Sequence, residues 1–386
     1  MLVEDEETKG SAASNDEDVA SLAERLRAKI RREGFITFHD WMLAALYDER
    51  EGYYNRADLA RWGRAGDYRT SPERSPLFAA TFARYFATLF EELGSPDSFT
   101  IIEAGAGAGH FAQGVLASLQ HSHARVFAAT KYLIDEASMD ARARASETLK
   151  SFHDRVEFRR LCEIEKPLDA AIIFSNELLD SFPVHRVKMR GGNLCELCVG
   201  LDDTGSFTWI EREPTTPRLK SHFKTLNITL DEGQIAEVNL AVEDWLNSIS
   251  LKFKRGYIIT VDYGAEAEDL YHAPHRREGT LRAFSSHHFE DDILVRPGQQ
   301  DITTTVDWTQ IERVGTELGF EIERFERQDQ FLLNEGLLEQ FERMATGVEN
   351  QADAAILSTS AREMILPGGM GASFQVLVLK KQLPAK

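Results

Sequence analysis

The chain has 386 residues, 42% of them hydrophobic, enough to bury a large core as one enlarged domain or as two. A formal charge of −19 and a pI near 5.1 argue against a nucleic-acid or anionic-membrane surface, and suit either a basic partner or simply an acidic soluble protein. No run of about 18 apolar residues exists to span a membrane.

The start, Met1-Leu2-Val3-Glu4-Asp5-Glu6-Glu7, has neither the Arg-rich amphipathic pattern of a mitochondrial presequence nor the apolar core of a secretory signal. Cys162, Cys195 and Cys198 do not make a disulfide framework, which fits a reducing compartment. A cytoplasmic location, in a bacterium, is the expectation. Residues 1–18 are polar and acidic and are expected to be disordered.

A helix follows with Val19, Leu22, Leu26 and Ile30 on one face, ended by Gly34. Thr37 with Asp40 three residues later predicts a second helix start, carrying Trp41, Leu43, Ala44, Leu46 and Tyr47. A loop-rich stretch then runs from Glu51 to Glu73, longer than a simple connector. A helix from about Pro76 to Leu93 leads to the apolar run Thr100-Ile101-Ile102-Glu103.

From that run the pattern alternates strand and helix, which implies a parallel sheet. Further strands are expected at 131–136, near 156–161, at 169–174, at 256–262, at 320–327 and at 373–379, the last two pairing as an antiparallel edge. Gly191-Gly192 and Asp203-Thr204-Gly205 mark turns in an inserted hairpin at about 184–212. Helices are expected near 234–251 and at 307–319, an irregular stretch over 263–306, and an apolar helical insertion over 331–364 whose first part, 331–345, is core or a dimer contact. The organisation expected is an acidic tail (1–18), an N-terminal helical and loop cap (19–95), and one α/β domain (96–386) with insertions at about 184–233, 263–306 and 331–364.

Glycines at 105, 107 and 109 sit between the strand ending in Glu103 and a helical pattern carrying Phe111, Val115, Leu116 and Leu119. Such a loop bends sharply, admits a ligand where a Cβ would block it, and places it at a helix N-terminus. The dinucleotide pattern G-x-G-x-x-G would need glycine where His110 stands, so the spacing Glu103-x-Gly105-x-Gly107-x-Gly109 disfavours a nicotinamide cofactor. It is the spacing of enzymes that bind S-adenosylmethionine, although a glycine-rich turn with no ligand has the same spelling.

In doubly wound sheets ligands meet the carboxyl ends of strands, where Glu103, Glu136, Asn176, Glu177 and Asp262 fall. Glu136 is placed to accept two ribose hydroxyls, or is a solvated loop acid. Glu177 and Asp180 could orient and offset a cationic nucleophile, or are acids in the first turn of a helix. Cys195-x-x-Cys198 lacks the partners a zinc site needs, so no metal is expected.

These residues, with several separated motifs, resemble the MidA family of class I methyltransferases. The motifs are Gly52-Tyr53-Tyr54, the run Gly66-Asp67-Tyr68 with Thr70-Ser71-Pro72-Glu73, the glycine loop, Asn176-Glu177 with Asp180 and Pro183-Val184, Val261-Asp262-Tyr263-Gly264, Gly279-Thr280-Leu281-Arg282-Ala283, Pro297-Gly298 with Asp301-Ile302-Thr303, and Pro367 with Met370-Gly371. The likeness runs from about Gly34 to Leu379. It implies a Rossmann-like, mostly parallel sheet with an antiparallel last strand. It implies S-adenosylmethionine held by Glu103, Gly105, Gly107, Gly109 and Glu136, with Gly66, Asp67, Thr70, Ser71 and Pro72 closing over the cofactor or target. Asn176, Glu177 and Asp180 would border the methyl group. The substrate implied is a protein, methylated on arginine in the mitochondrial branch that assists respiratory complex assembly. A small-molecule N- or O-methyltransferase, or a non-catalytic assembly protein on the same fold, are the alternatives.

Overall fold

In a computed structural model of the chain, the structure describes residues 20–56, 58–59, 76–285, 288–290, 292–347, 350–366 and 370–382. The acidic tail and the candidates Gly66, Asp67, Thr70, Ser71 and Pro72 lie outside the described residues.

Helix α1 (Leu22–Glu33) starts in a capping box. Ser21 Oγ accepts from the Glu24 N–H and the Glu24 carboxylate accepts from the Ser21 N–H, so two of the orphan donors at the helix start are satisfied. The helix ends at Gly34, whose φ of 86° suits a residue without Cβ. Strand β1 (Ile36–Thr37) leads to α2 (Phe38–Tyr47), capped by Thr37 accepting from Asp40 N at 3.0 Å. Phe38, Trp41, Met42, Ala45 and Leu46 form the buried stripe of α2 at helical spacing. Leu43, also carried by this helix, falls on the opposite side and is 45% exposed.

Helix α3 (Pro76–Glu92) is apolar around most of its circumference because it is covered on several sides. Strand β2 (Phe99–Ala104) is buried along its whole length, followed by α4 (His110–Ser122), α5 (Ala124–Ala129), β3 (Thr130–Asp135), α6 (Met139–Thr148), β4 (Val156–Phe158) and β5 (Leu168–Asn176). The strand expected near 156–161 stops at Phe158, and Leu161 begins a 3-10 turn. A Cβ on Gly114 of α4 would stand 2.5 Å from Ala79 Cβ, so this glycine sets how closely α3 and α4 pack.

After β5 a 3-10 turn (Leu179–Ser181) hands the chain to β6 (His185–Arg190), β7 (Asn193–Leu201) and β8 (Phe207–Arg212), then α7 (Pro217–Leu226). The helix expected near 234–251 is instead strand β9 (Ile235–Val238) and helix α8 (Leu240–Ser250), divided by the cap Asn239. Residues 235–238 have no strong helical or strand preference; pairing with β6 decides their state. The expected hairpin is thus the middle of a five-stranded antiparallel sheet, ordered β1-β7-β6-β9 with β8 on β7. Cys195 and Cys198 both lie on β7, three residues apart, so their side chains leave opposite faces.

Strand β10 (Phe253–Ala265) is followed by α9 (Ala267–His272), then β11 (Arg282–Ser285), β12 (His288–Phe289) and β13 (Asp301–Thr303), a small sheet inside the stretch expected to be irregular. Next come β14 (Val306–Asp307), α10 (Trp308–Glu317), β15 (Glu321–Arg327), α11 (Gln328–Asn334), α12 (Leu337–Thr346), α13 (Gln351–Ile365) and β16 (Phe374–Lys381). Phe331, Leu332 and Leu337 of the helical insertion are fully buried and join the same core as α3.

The central sheet runs β15-β16-β10-β5-β2-β3-β4, with β14 added beside the end of β10. Strands β4, β3, β2, β5 and β10 are parallel neighbours, and β16 lies antiparallel to both β10 and β15. This is the α/β arrangement expected. One face is covered by α3, α4 and the helices of the 328–365 segment, the other by α8 and α10. The carboxyl ends of β2, β3, β5 and β10 therefore open together, and the N-terminal helices and the small sheets pack over them through a third core containing Trp41, Tyr53, Val184 and Ile302.

Candidate functional site

A cavity of about 460 Å³ lies over those strand ends, a size that holds a nucleotide-sized ligand. Its walls bring together Glu103, Gly105, Gly107, Glu136, Asn176, Glu177 and Asp180 from the sequence-derived candidates. Gly109 stands just behind as the residue before α4.

The loop takes its shape from its glycines. Gly105, Gly107 and Gly109 have φ of 72°, 54° and 79°, a region that costs other residues roughly 1–2 kcal/mol. A Cβ on Gly105 would meet Leu178 Cδ1 at 2.9 Å, and one on Gly109 would press on Ala145 and Leu149. Ala106 and Ala108 line the cavity between them. Gly109 has no side chain to cap α4, so the positive end of the helix dipole faces the loop.

Glu136 follows β3 and is buried. Its Oε2 accepts from Gly107 N at 2.9 Å and its Oε1 from Ser138 N at 2.8 Å, so the acid and the loop hold each other in place. A carboxylate has about four acceptor positions, which leaves lone pairs for two hydroxyls. Burial pushes its pKa above the ordinary range, opposed by those backbone donors. The preceding Asp135 is engaged by Arg160 at 2.6 Å instead.

Glu103 is buried at the end of β2 and accepts from the Tyr132 hydroxyl at 2.7 Å. Desolvation pushes its carboxyl up to about 8, so at neutral pH it is mostly protonated.

Across the cavity, Asn176 ends β5 and donates from Nδ2 to Glu177 Oε1 at 3.0 Å. Glu177 has φ of 51°, a left-handed conformation rare for a residue with a Cβ, fixed by its N–H donating to Val261 O at 2.9 Å. Such strain turns its side chain away from the line of the strand. Asp180 is buried in the 3-10 turn, and its Oδ2 accepts from the Tyr263 hydroxyl. Its Oδ1 and the Oδ1 of Asn176 are both buried, and neither has a hydrogen-bond partner among the described residues.

Asp262 is fully buried and does not line the cavity. Its Oδ2 accepts from Leu179 N at 3.0 Å and Asp180 N at 3.4 Å, and its Oδ1 from Tyr263 N at 2.9 Å, so it pins the turn that carries Asp180. Burial, then the charges of Asp180 and Glu177, push its pKa well above the carboxylate range.

Further walls come from residues to which sequence reasoning gave no individual role, among them Tyr47, Tyr54, Ser181, Tyr263, Phe284, Asp301 and Thr303. Tyr47 donates to the Ser181 carbonyl at 3.1 Å, Tyr54 donates to Asp301 Oδ1 at 3.0 Å, and the two rings lie 5.3 Å apart. Tyr54, Tyr263, Asp301 and Thr303 all fall inside the quoted motifs, which was the available signal; Tyr47 and Phe284 had none beyond their apolarity.

The arrangement fits S-adenosylmethionine. The glycine loop is a cradle that a Cβ would fill, Glu136 lines the cavity with acceptor positions to spare, and the acid-lined far end suits a sulfonium and its methyl acceptor. A family model for S-adenosyl-L-methionine-dependent methyltransferases matches residues 81–326. The chain is 25% identical to a protein named protein arginine methyltransferase NDUFAF7 homolog, mitochondrial, of Drosophila melanogaster, over 91% of this chain and 86% of that one. It is 22% identical to the Bos taurus mitochondrial protein arginine methyltransferase NDUFAF7, over 96% and 86%. Among solved structures it is similar to a Burkholderia thailandensis protein of the COG1565 superfamily bound to S-adenosyl-homocysteine, with 28% identity, a TM-score of 0.82, and 98% and 96% of the two chains covered.

Proposed function

The chain belongs to the family of S-adenosyl-L-methionine-dependent methyltransferases, and from that premise we propose that its methyl acceptor is an arginine side chain of a protein. The observation that carries the reading is the pair of buried acceptors, Asp180 Oδ1 and Asn176 Oδ1, without partners among the described residues, on two residues that line one cavity with Glu177. Acceptors without donors are costly unless a ligand supplies the donors, and a guanidinium offers five N–H groups in one plane. The names of the matched relatives point the same way.

Bound at the glycine loop, S-adenosylmethionine supplies an electrophilic methyl group, which a nitrogen lone pair takes as the carbon–sulfur bond breaks and its electrons pass to sulfur. The protein's own part is to align the nucleophile and take its proton. Glu136, held by the Gly107 N–H, would take the ribose hydroxyls, and the glycine loop would lie beside the amino-acid end. Asn176 and Glu177 orient the guanidinium, and Asp180 Oδ1 receives the proton that leaves the nitrogen. Tyr47 and Tyr54 wall the acceptor side and exclude water.

The test is transfer of a labelled methyl group from S-adenosylmethionine to proteins of a lysate from cells lacking this enzyme, followed by acid hydrolysis and amino-acid analysis. Label in methylarginine, lost in Asp180→Asn, is the expected result. Label confined to small molecules, or to lysine, would refute it.

A further inference from the structure

Tyr263 and Arg282 lie in two motifs, 261–264 and 279–283, that the reading above leaves without a chemical role. The hydroxyl of Tyr263 donates to Asp180 Oδ2. Its ring is fixed on two sides: the Arg282 guanidinium lies 4.6 Å from its centroid, and Phe374 meets it edge-on at 5.5 Å. Arg282 is held in turn by β11, which pairs with β13, and its Nη2 donates to Thr305 Oγ1 at 3.4 Å. The backbone of Asp180 is fixed as well, its carbonyl accepting from Thr304 N at 2.9 Å. One oxygen of Asp180 is therefore committed, and the other has no partner among the described residues.

We propose that Tyr263, backed by Arg282, is the positioning residue that keeps Asp180 a carboxylate with Oδ1 turned to the acceptor nitrogen. The proposal rests on the methyl-transfer reading above for its consequence, but its structural content stands on Asp180 alone. The charged and titratable groups around Asp180 are Asp262 and Tyr263 from β10, Glu177 from the end of β5, Arg282 from β11, and Tyr47 from α2 with Asp301 of β13 beyond it. Burial favours a protonated Asp180, which could take no proton from a guanidinium. The Tyr263 hydrogen bond and then the Arg282 charge oppose it, and the balance leaves Asp180 at about 6. In the step served, the new nitrogen–methyl bond forms, the sulfur–methyl bond breaks with its pair on sulfur, and the nitrogen's proton passes to Asp180 Oδ1. The Tyr263 hydroxyl keeps its own proton throughout, since its pKa is well above the ordinary phenol value.

The test is the ionisation of Asp180 itself, followed by carbon-13 resonance of labelled aspartate carboxyls, with Asp180→Asn identifying the signal. In Tyr263→Phe the midpoint is expected to rise by about one to two pH units, the loss of one hydrogen bond to a charged acceptor. The acid limb of kcat/KM is expected to move with it while KM for S-adenosylmethionine stays unchanged. Arg282→Met, which keeps the Tyr263 hydroxyl, should raise the midpoint less and serves alone if Tyr263→Phe does not fold. An unchanged midpoint in the folded variants would overturn the proposal, as would a raised midpoint with an unmoved acid limb. Failure of the wild-type enzyme to label arginine at any pH would refute the acceptor reading separately, and the carboxyl midpoint would still decide the assignment of Tyr263.

Discussion

Glu103 makes the stability of the ligand-free protein fall as pH rises, and Glu103→Gln should remove that fall. The carboxyl sits buried at the end of β2, where desolvation raises it from 4.5 to about 8, against the opposing hydrogen bond from Tyr132 and with a smaller push from Glu136. A pKa raised on folding means the native state holds a proton that the unfolded chain has released. The contribution is therefore full below about 4.5 and is lost as pH rises toward about 8. The whole window corresponds to roughly 5 kcal/mol at 1.36 kcal/mol per pH unit, and the part between pH 6 and 9 to roughly 3 kcal/mol. Urea unfolding of both proteins without ligand at pH 6, 7.5 and 9 measures it. The wild type should lose roughly 3 kcal/mol more than Glu103→Gln across that range. Parallel losses would show that Glu103 is ionised in the folded protein and that the desolvation argument is wrong.

Three further outcomes follow from the same site. At pH 7, S-adenosylmethionine should release more protons on binding than S-adenosylhomocysteine, because only the sulfonium cation favours ionised Glu103; calorimetry in buffers of different ionisation enthalpy reads the difference, and equal release would contradict it. Glu136→Ala removes the ribose acceptor and strands the Gly107 and Ser138 N–H groups, so S-adenosylmethionine should bind about 100-fold more weakly by titration calorimetry, about 2.7 kcal/mol; a loss under threefold would count against the placement. Glu177→Gly relieves a φ of 51° and should leave the denaturation midpoint equal or higher, by up to about 1 kcal/mol, while abolishing methyl transfer; a clearly destabilised variant would show that Glu177 contributes more through its contacts than it costs in strain.

What could be read from the sequence was what is local. Caps such as Ser21 with Glu24 and Thr37 with Asp40 act within four residues, and the glycines at 105, 107 and 109 encode their own backbone shape. The acids at the carboxyl ends of β2, β3 and β5 follow from strand order alone. What escaped depends on distant partners. Residues 235–238 become a strand because β6 lies beside them. Asp262 looks like another cavity acid in the sequence, yet the backbone N–H groups of Leu179, Asp180 and Tyr263 take its oxygens and make it a support. Tyr47 reaches the cavity from a helix more than a hundred residues before the turn it contacts, a meeting no local pattern announces.

A crystal structure with S-adenosylhomocysteine bound tests the central claim most directly. The account predicts the ribose hydroxyls on the Glu136 carboxylate, the amino-acid end beside the loop at Gly105 and Gly107, and the sulfur facing Asn176, Glu177 and Asp180. Ribose away from Glu136, or a sulfur directed away from those three residues, would contradict it.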